Sequence, residues 1–346
     1  MALLANALMT SKCLAVCPDR RIGGPKLSVQ EADIRWRYVI ESYTELDLSF
    51  EGDVFPALQG LAKMMPSGMG FYLAGLWSRT VQYNLTWHVR TEDKHDRSIR
   101  TMEWRAPTWS WASTTGSIGW MRHTWTQQQD QNDQPMSFIT VVNAVTSPVA
   151  EDATGQLTSG ELILRGHCLP GRMYHPMWCQ SSRTICLHIR CSERELCMSS
   201  YDKVPVIWSD AAHAVEQFST ADGLLATADL STAHFLPPSN PMSAFAYFSR
   251  KLNPLSSDGR RLLLWDYHVD MEGPHQVRSG SEILILKVEG FITHDVSELA
   301  WIVLRSVDDR LNTFERLGLL YTRDLVDEAE LERAANLTPE REIRIV

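Results

Sequence analysis

The sequence predicts an α+β fold, in which an N-terminal helical unit is followed by a mostly antiparallel, β-rich domain. Apolar side chains recur at helical spacing between residues 28 and 90. After Gly119 the apolar segments become short and rich in β-branched residues, with Gly, Pro, Asn and Ser between them. These two patterns divide the chain into an irregular leader (1–27), a helical unit (28–120), a polar loop (121–136) and a β-rich domain (137–346).

Three helices are predicted in the helical unit. The first begins after Ser28, because Ser28 and Glu31 have the spacing of a capping box, in which a hydroxyl and a carboxylate satisfy free amides at a helix start. It extends to about Thr44. A second helix is predicted over 53–65, and a third over 71–87. Short loops between them indicate a compact unit.

The segment 105–113 reads Arg-Ala-Pro-Thr-Trp-Ser-Trp-Ala-Ser and is the most distinctive part of the chain. The proline favours an extended backbone, and small and large side chains then alternate, which predicts a strand with Trp109 and Trp111 on one face. Each indole buries a large area, so we expect a core role for both. Arg105 is expected to bind nearby carbonyl oxygens or the carboxylate of Glu103. The predicted structural motif comprises Arg105, Pro107, Trp109, Ser110 and Trp111.

The β-rich domain is predicted from short apolar runs bounded by turn-forming residues. These runs cover 138–145, 161–165, 184–189, 204–208, 261–267, 282–288, 301–304 and 314–320. Helices are predicted at 211–225 and 324–335. The pattern is typical of an antiparallel sheet with few helical interruptions.

Four blocks, at 36–44, 53–62, 71–77 and 105–113, resemble the region that follows the HET domain in fungal heterokaryon-incompatibility proteins. Their order and approximate spacing match over residues 36 to 118, and the tail at 301–304, 314–321 and 342–346 adds weaker support. In that family a HET domain with a Ser-Tyr-x-Trp-Gly segment precedes this region. The segment does not occur in the sequence, so the resemblance implies a C-terminal region without its HET domain.

The resemblance implies a role in fungal non-self recognition and incompatibility-triggered cell death. Because the activity of the family resides in the HET domain, it cannot be carried over to any residue of this chain. We therefore expect a non-catalytic recognition or regulatory module that acts on a protein partner and needs no cofactor.

The composition of the chain argues against several classes of protein. The net charge of −9 argues against a broad nucleic-acid-binding surface. No apolar run approaches the roughly 20 residues that a membrane-spanning helix needs. Seven cysteines, an odd number, favour a reducing compartment over a disulfide framework. We expect a cytoplasmic protein without a membrane span.

Two further classes stay open at the level of sequence. A metal-dependent or hydrolytic enzyme is suggested by Asp266, His268 and Asp270, which would share one face of a strand as ligands of a divalent ion. An exposed strand face explains the same alternation, and we favour it. The tryptophans suggest a carbohydrate-binding β module, but core packing explains them as well, and we favour it. The spacing of Cys168, Cys179, Cys186, Cys191 and Cys197 fits no zinc-binding template, which predicts buried thiols on strands.

Overall fold

The protein has an α+β architecture, seen in a computed structural model in which a few helices accompany a large, mostly antiparallel sheet. The structure describes residues 27–46, 50–90, 98–120, 136–174, 186–191, 194–199, 208–209, 260–267, 269, 273–292, 297–308, 310–323 and 326–346. The predicted leader up to residue 26, residues 121–135 of the polar loop and the helix predicted at 211–225 lie outside these ranges.

Helix α1 (Val29–Thr44) begins at the predicted capping box. The Ser28 hydroxyl accepts a hydrogen bond from the Glu31 amide at 3.2 Å, and the Glu31 carboxylate accepts one from the Ser28 amide at 2.9 Å. Because two free amides are satisfied at once, the start of the helix is fixed by the sequence. Its inner face, which carries Trp36, Val39, Ile40 and Tyr43, is buried.

The second and third predicted helices are wrong as continuous elements. Residues 51–62 form two 3₁₀-helices (Glu51–Asp53 and Pro56–Leu58) and a short helix α2 (Gln59–Ala62). Further along, the chain forms strands β1 (Tyr72–Leu73) and β2 (Leu76–Trp77), helix α3 (Val81–Asn84) and strand β3 (Trp87–Val89). Strand β3 pairs with β4 (Ile118–Trp120).

A tight turn explains why no helix forms around residue 74. Ala74 and Gly75 have φ angles of 49° and 89°, the left-handed conformation that a two-residue hairpin requires. The side chains of β1 and β2 are all buried, including both Tyr72 and Leu73. Since side chains on both faces of this hairpin are buried, the spacing of its apolar residues does not distinguish a helix from a strand.

Within the described ranges, the main sheet has twelve strands. They are β5 (Met136–Ser137), β6 (Ile139–Pro148), β7 (Leu157–Gly166), β8 (Cys168–Tyr174), β9 (Cys186–Cys191), β10 (Arg194–Ser199), β11 (Trp208–Ser209), β12 (Arg260–Trp265), β13 (Ser281–Ile292), β14 (Ser297–Asp308), β15 (Thr313–Arg323) and β16 (Arg341–Ile345). Their order is β11-β10-β9-β8-β13-β14-β15-β16-β7-β6, with β12 on β15 and β5 on β13. The predicted antiparallel character is confirmed; of the described pairings, only that of β15 with β16 is parallel.

Part of the sheet closes on itself. Strand β5 leads directly into β6, and Ser137 of β5 pairs with Glu289 of β13. The amide of Phe138 also donates to the Val288 carbonyl at 3.0 Å. The run from β13 through β14, β15, β16 and β7 to β6 is therefore closed by β5. Side chains of this closed run and of the N-terminal elements pack together in the first apolar cluster.

The central strands are buried on both faces. Alternate residues of β14 contribute to two apolar clusters, with Ile302 in the first and Trp301 in the second. The first cluster combines residues from α1 to β16, so the helical unit and the sheet share one core. Helix α4 (Val326–Leu337), which the sequence predicts, packs on the opposite face through Leu331 and Ala335.

Candidate functional site

The segment 105–113 is buried as predicted, but it is not a strand. Residues 108–110 form a turn and Trp111–Ser113 a 3₁₀-helix, which the Ser110 hydroxyl caps by accepting from the Ala112 amide at 3.1 Å. Trp109 is 0 % and Trp111 1 % exposed. The alternation of large and small side chains therefore predicts burial correctly and the backbone wrongly. Neither indole can act as an exposed platform for a sugar ring.

The two tryptophans hold the β1–β2 turn and strand β3. The indole N–H of Trp111 donates to the Gly75 carbonyl at 3.2 Å, and Trp36 of α1 donates to the same oxygen at 2.8 Å. The Trp87 indole N–H donates to the Trp109 carbonyl at 2.9 Å. The β1–β2 turn and β3 thus bond directly to this segment, and α1 bonds to the same turn.

Arg105 binds carbonyl oxygens, which is one of its two predicted roles. Its Nε donates to the Ala112 carbonyl and its Nη2 to the Thr114 carbonyl, each at 2.6 Å. Burial lowers the pKa of Arg105, although an arginine stays charged at neutral pH. Glu103, the other predicted partner, is exposed. The guanidinium therefore stabilises the 3₁₀-helix by binding carbonyl oxygens in it and just after it.

Pro107 and Thr108 attach the segment to the sheet. A Cβ added to Gly160 of β7 would lie 2.7 Å from Pro107 Cγ, so the glycine permits this close approach. The Thr108 amide donates to the Val346 carbonyl at 2.9 Å, and the Thr108 hydroxyl accepts from the Arg316 amide at 3.0 Å. The segment is thus the joint between the two parts of the fold.

A fully buried ion pair lies next to this joint. Arg316 Nε of β15 is 2.9 Å from Asp266 Oδ2, and both side chains are 0 % exposed. Arg316 also donates to the carbonyls of Leu85 and Trp87 and stacks on the Trp87 ring, with its Cζ 3.7 Å from the ring centroid. Burial raises the pKa of Asp266, while the charge of Arg316 opposes that rise. The pair joins β3, the end of β12 and β15.

Asp266 itself does not lie on the exposed strand face that we favour from the sequence, and its carboxylate is paired with Arg316 instead of being free to bind a metal ion. Strand β12 ends at Trp265, so Asp266 follows the strand and turns inward to Arg316. The other two candidate ligands, His268 and Asp270, lie outside the described residues. Within the described part of the chain, no group of three or more His, Cys, Asp or Glu side chains could hold a metal ion.

Cys168 is buried at the start of β8, as predicted. Burial raises the pKa of its thiol to about 12, so the thiolate needed for metal binding or nucleophilic attack does not form at neutral pH. Cys186, Cys191 and Cys197 lie on strands β9 and β10, and Cys179 is outside the described ranges.

An open cleft of about 670 Å³ lies on the outer side of the joint. One wall is formed by 100–108, and the other by β6, β7 and the adjoining ends of β14 and β15. Arg100 and Glu315, which are 3.1 Å apart, belong to the opposite walls and connect them. The sequence gives little sign of this cleft, because its lining residues come from eight separate stretches of the chain.

The chain has no match among known protein-family models, curated proteins or solved structures. No helix in the described ranges is long and apolar enough to cross a membrane.

Proposed function

We propose that this chain is a recognition or regulatory module of fungal non-self recognition, related to the region that follows the HET domain in heterokaryon-incompatibility proteins. It acts through contacts with a protein partner and performs no chemistry of its own. The proposal starts from the resemblance of the four blocks between 36 and 118.

One observation carries the proposal: the side chains of the most distinctive block serve the fold. Trp109 and Trp111 are enclosed in the core, and Arg105 donates to carbonyls of its own segment. A family resemblance that rests on such residues reflects a shared scaffold. Function then belongs to the exposed surface that the scaffold presents, which favours recognition.

The charged groups near the joint support the same interpretation. A buried carboxylate that is paired with an arginine is a poor general base or metal ligand, because its charge is already compensated. Asp266 with Arg316 and Glu315 with Arg100 are both of this kind. These pairs account for the polar residues at the joint without a reaction.

Proximity labelling in a filamentous fungus tests the proposal. The chain, fused to a labelling enzyme, is expressed beside the Trp109→Ala variant, which controls for labelling by an unfolded chain. We expect a protein that carries a HET domain to be labelled by the parent and not by the variant. The same protein, once purified, should bind the purified parent in a pull-down. Equal enrichment by parent and variant, or no co-purification, would contradict the proposal.

A further inference from the structure

The cleft beside the joint is a fixed concavity of the fold. Its volume of about 670 Å³ lies within the range of roughly 300–1,000 Å³ that is typical of binding pockets. Both walls belong to the same core, since Ala106 of one wall and the strands of the other contribute to the first apolar cluster. The ion pair between Arg100 and Glu315 also connects them. A partner would therefore meet a preformed surface, which lowers the cost of binding.

The charged side chains of this cleft are engaged within the protein. Two arginines and two glutamates line it, so their formal charges cancel. Glu315 lies 3.1 Å from Arg100, and Glu161 lies 3.3 Å from Arg344. Arg105 donates to carbonyl oxygens from all three of its nitrogens. These lining residues therefore offer a partner no excess of charge of either sign.

The hydroxyl groups of the lining threonines are engaged as well. Thr101 donates to the Glu103 carbonyl at 2.9 Å, and Thr158 donates to the Ser147 carbonyl at 3.1 Å. The hydroxyl of Thr108 is bonded to the sheet, as described above. Because these groups already have partners within the protein, a ligand that bonded to them would exchange one hydrogen bond for another and gain little.

Large apolar side chains at the opening of the cleft, in contrast, are exposed. Met102 is 76 % and Trp104 50 % exposed on one wall, and Val145 and Val307 are 49 % and 59 % exposed on the other. These four side chains form an apolar rim, and such a patch marks a contact site more often than isolated apolar residues do. A small molecule inside the cleft would leave much of the rim in water. A protein segment that continues past the opening would cover it.

We propose that this cleft docks an uncharged, apolar segment of the protein partner, with a large side chain packed on Trp104. Burial of the apolar rim favours such a segment. A charged side chain is disfavoured, because its counter-charge would have to be taken from an existing ion pair. The proposal rests on the proposed function for the source of the segment, which is the protein that carries a HET domain.

Four blocked pentapeptides test the preference on the intact protein. Acetyl-Gly-Leu-Phe-Leu-Gly-amide is the apolar probe, and its three relatives carry Gln, Glu or Lys in place of Phe. By calorimetric titration we expect the Phe peptide to bind about tenfold more tightly than the Gln peptide, through burial of the ring. The Glu and Lys peptides should bind no more tightly than the Gln peptide, their neutral control, because a charge would lose hydration without gaining a counter-charge.

A pair of aromatic variants tests the place of binding. Trp104→Ala should reduce the affinity for the Phe peptide about tenfold or more, through loss of the surface on which the ring packs. The control is Phe71→Ala, which removes a ring that is 80 % exposed and is not among the cleft-lining residues; it should bind like the parent. Thermal melts show whether both variants are folded.

A pull-down of the purified HET-domain protein separates this proposal from the proposed function. Folded Trp104→Ala should retain less of that protein than the parent and Phe71→Ala do. Equal retention by all three would overturn the cleft as the docking site and leave the partner role standing. No retention even by the parent would contradict the partner role, and the peptides alone would then decide the cleft.

Three peptide results would also overturn the cleft proposal. They are tighter binding of the Glu or Lys peptide than of the Gln peptide, undiminished binding of the Phe peptide by folded Trp104→Ala, and no binding of the Phe peptide at millimolar concentration.

Discussion

Trp109 shows how a single residue, with its neighbours, contacts both parts of the molecule. Its ring is enclosed in the shared core, and its carbonyl accepts the Trp87 indole N–H at 2.9 Å. The segment around it reaches the sheet through Thr108 and Pro107. Removal of the ring would leave a cavity where the helical unit meets the sheet.

Trp109→Ala should therefore lower the free energy of unfolding by about 3–5 kcal/mol, as expected for a large-to-small change in a core. The matched control is Trp104→Ala, the same change at a half-exposed position, for which we expect a loss of about 0.5 kcal/mol. Urea denaturation measures both values. Equal losses would show that Trp109 does not belong to the core.

Asp266→Asn tests the buried ion pair. Because the variant leaves the charge of Arg316 buried without its counterion, the free energy of unfolding should fall by about 3–5 kcal/mol. The metal-site hypothesis from the sequence makes the opposite prediction, namely loss of metal uptake with stability unchanged. Urea denaturation together with metal analysis of the purified protein separates the two. A variant as stable as the parent would contradict the ion-pair account.

At this scale the sequence predicts the burial of the tryptophans better than it predicts the burial or the partner of a charged residue. The size and spacing of Trp109 and Trp111 are sufficient to predict a core position. The pairing of Asp266 with Arg316 spans 50 positions in the sequence and that of Arg100 with Glu315 spans 215, so no local pattern reveals either pair. The one available signal is Arg316 itself, a charge inside an apolar run that must be buried with a partner.

At the scale of elements, a predicted helix is confirmed where the sequence contains a helix cap and one exposed face. Helix α1 has a capping box and an exposed face opposite its buried one, so its start and its length follow from the sequence. The β1–β2 hairpin has neither a cap nor an exposed face. Its turn depends on Ala74 and Gly75, which are both in the left-handed conformation. The neighbouring apolar residues are spaced as in a helix, so the sequence does not predict this turn.

Gly75→Ala tests the close approach at this turn. A Cβ at Gly75 would lie 2.5 Å from the Trp111 indole nitrogen, whereas at Gly280 it would meet nothing within 4 Å. The φ angles are similar, 89° and 84°, so Gly280→Ala is a matched control for backbone strain. We expect about 1 kcal/mol of destabilisation from strain in the control, and a clearly larger loss at Gly75. Equal losses in urea denaturation would contradict the packing of Trp111 on this turn.

The capping box of α1 gives a prediction with a pH dependence. Ser28→Ala should lower the free energy of unfolding by about 1 kcal/mol at neutral pH. Hydrogen bonds from Ser28 lower the pKa of Glu31 below its ordinary value of 4.5, so the folded state binds this proton less readily than the unfolded state. The contribution of Glu31 is therefore complete above that value and is lost as the pH falls below it.

Urea denaturation of the parent and of Glu31→Ala across this pH range measures the contribution. The stability difference between them should be constant near neutral pH and should shrink in acid. A difference that grew as the pH fell would have the wrong sign for a capping carboxylate.

At the scale of the whole molecule, the structure is organised around one joint. The first apolar cluster includes side chains from α1, the β1–β2 hairpin, the segment 105–113 and the curled sheet. The buried Arg316 adds hydrogen bonds from β15 to the carbonyls at Leu85 and Trp87. The two parts are therefore expected to unfold together, because neither can expose the joint without losing part of its own core.

The α+β class, the antiparallel sheet, α1 and α4 all follow from periodicity and turn-forming residues. The curl of the sheet, its strand order and the cleft do not, because they depend on pairings between distant segments such as β5 with β13. The joint could be predicted only in part. Its residues are distinctive in the sequence, but their role as a connection is evident only from their contacts with β7, β15 and the C-terminal residue after β16.

The most direct test of this account is amide hydrogen exchange of the parent in increasing, sub-denaturing concentrations of urea. Amides of Val39 and Ile40 in α1 report on the helical unit, and those of Leu319 and Leu320 in β15 report on the sheet. If segment 105–113 joins the two parts into one core, the opening free energies of both sets converge on a single value and a single urea dependence. Separate values, with the helical unit opening while β15 stays protected, would contradict it.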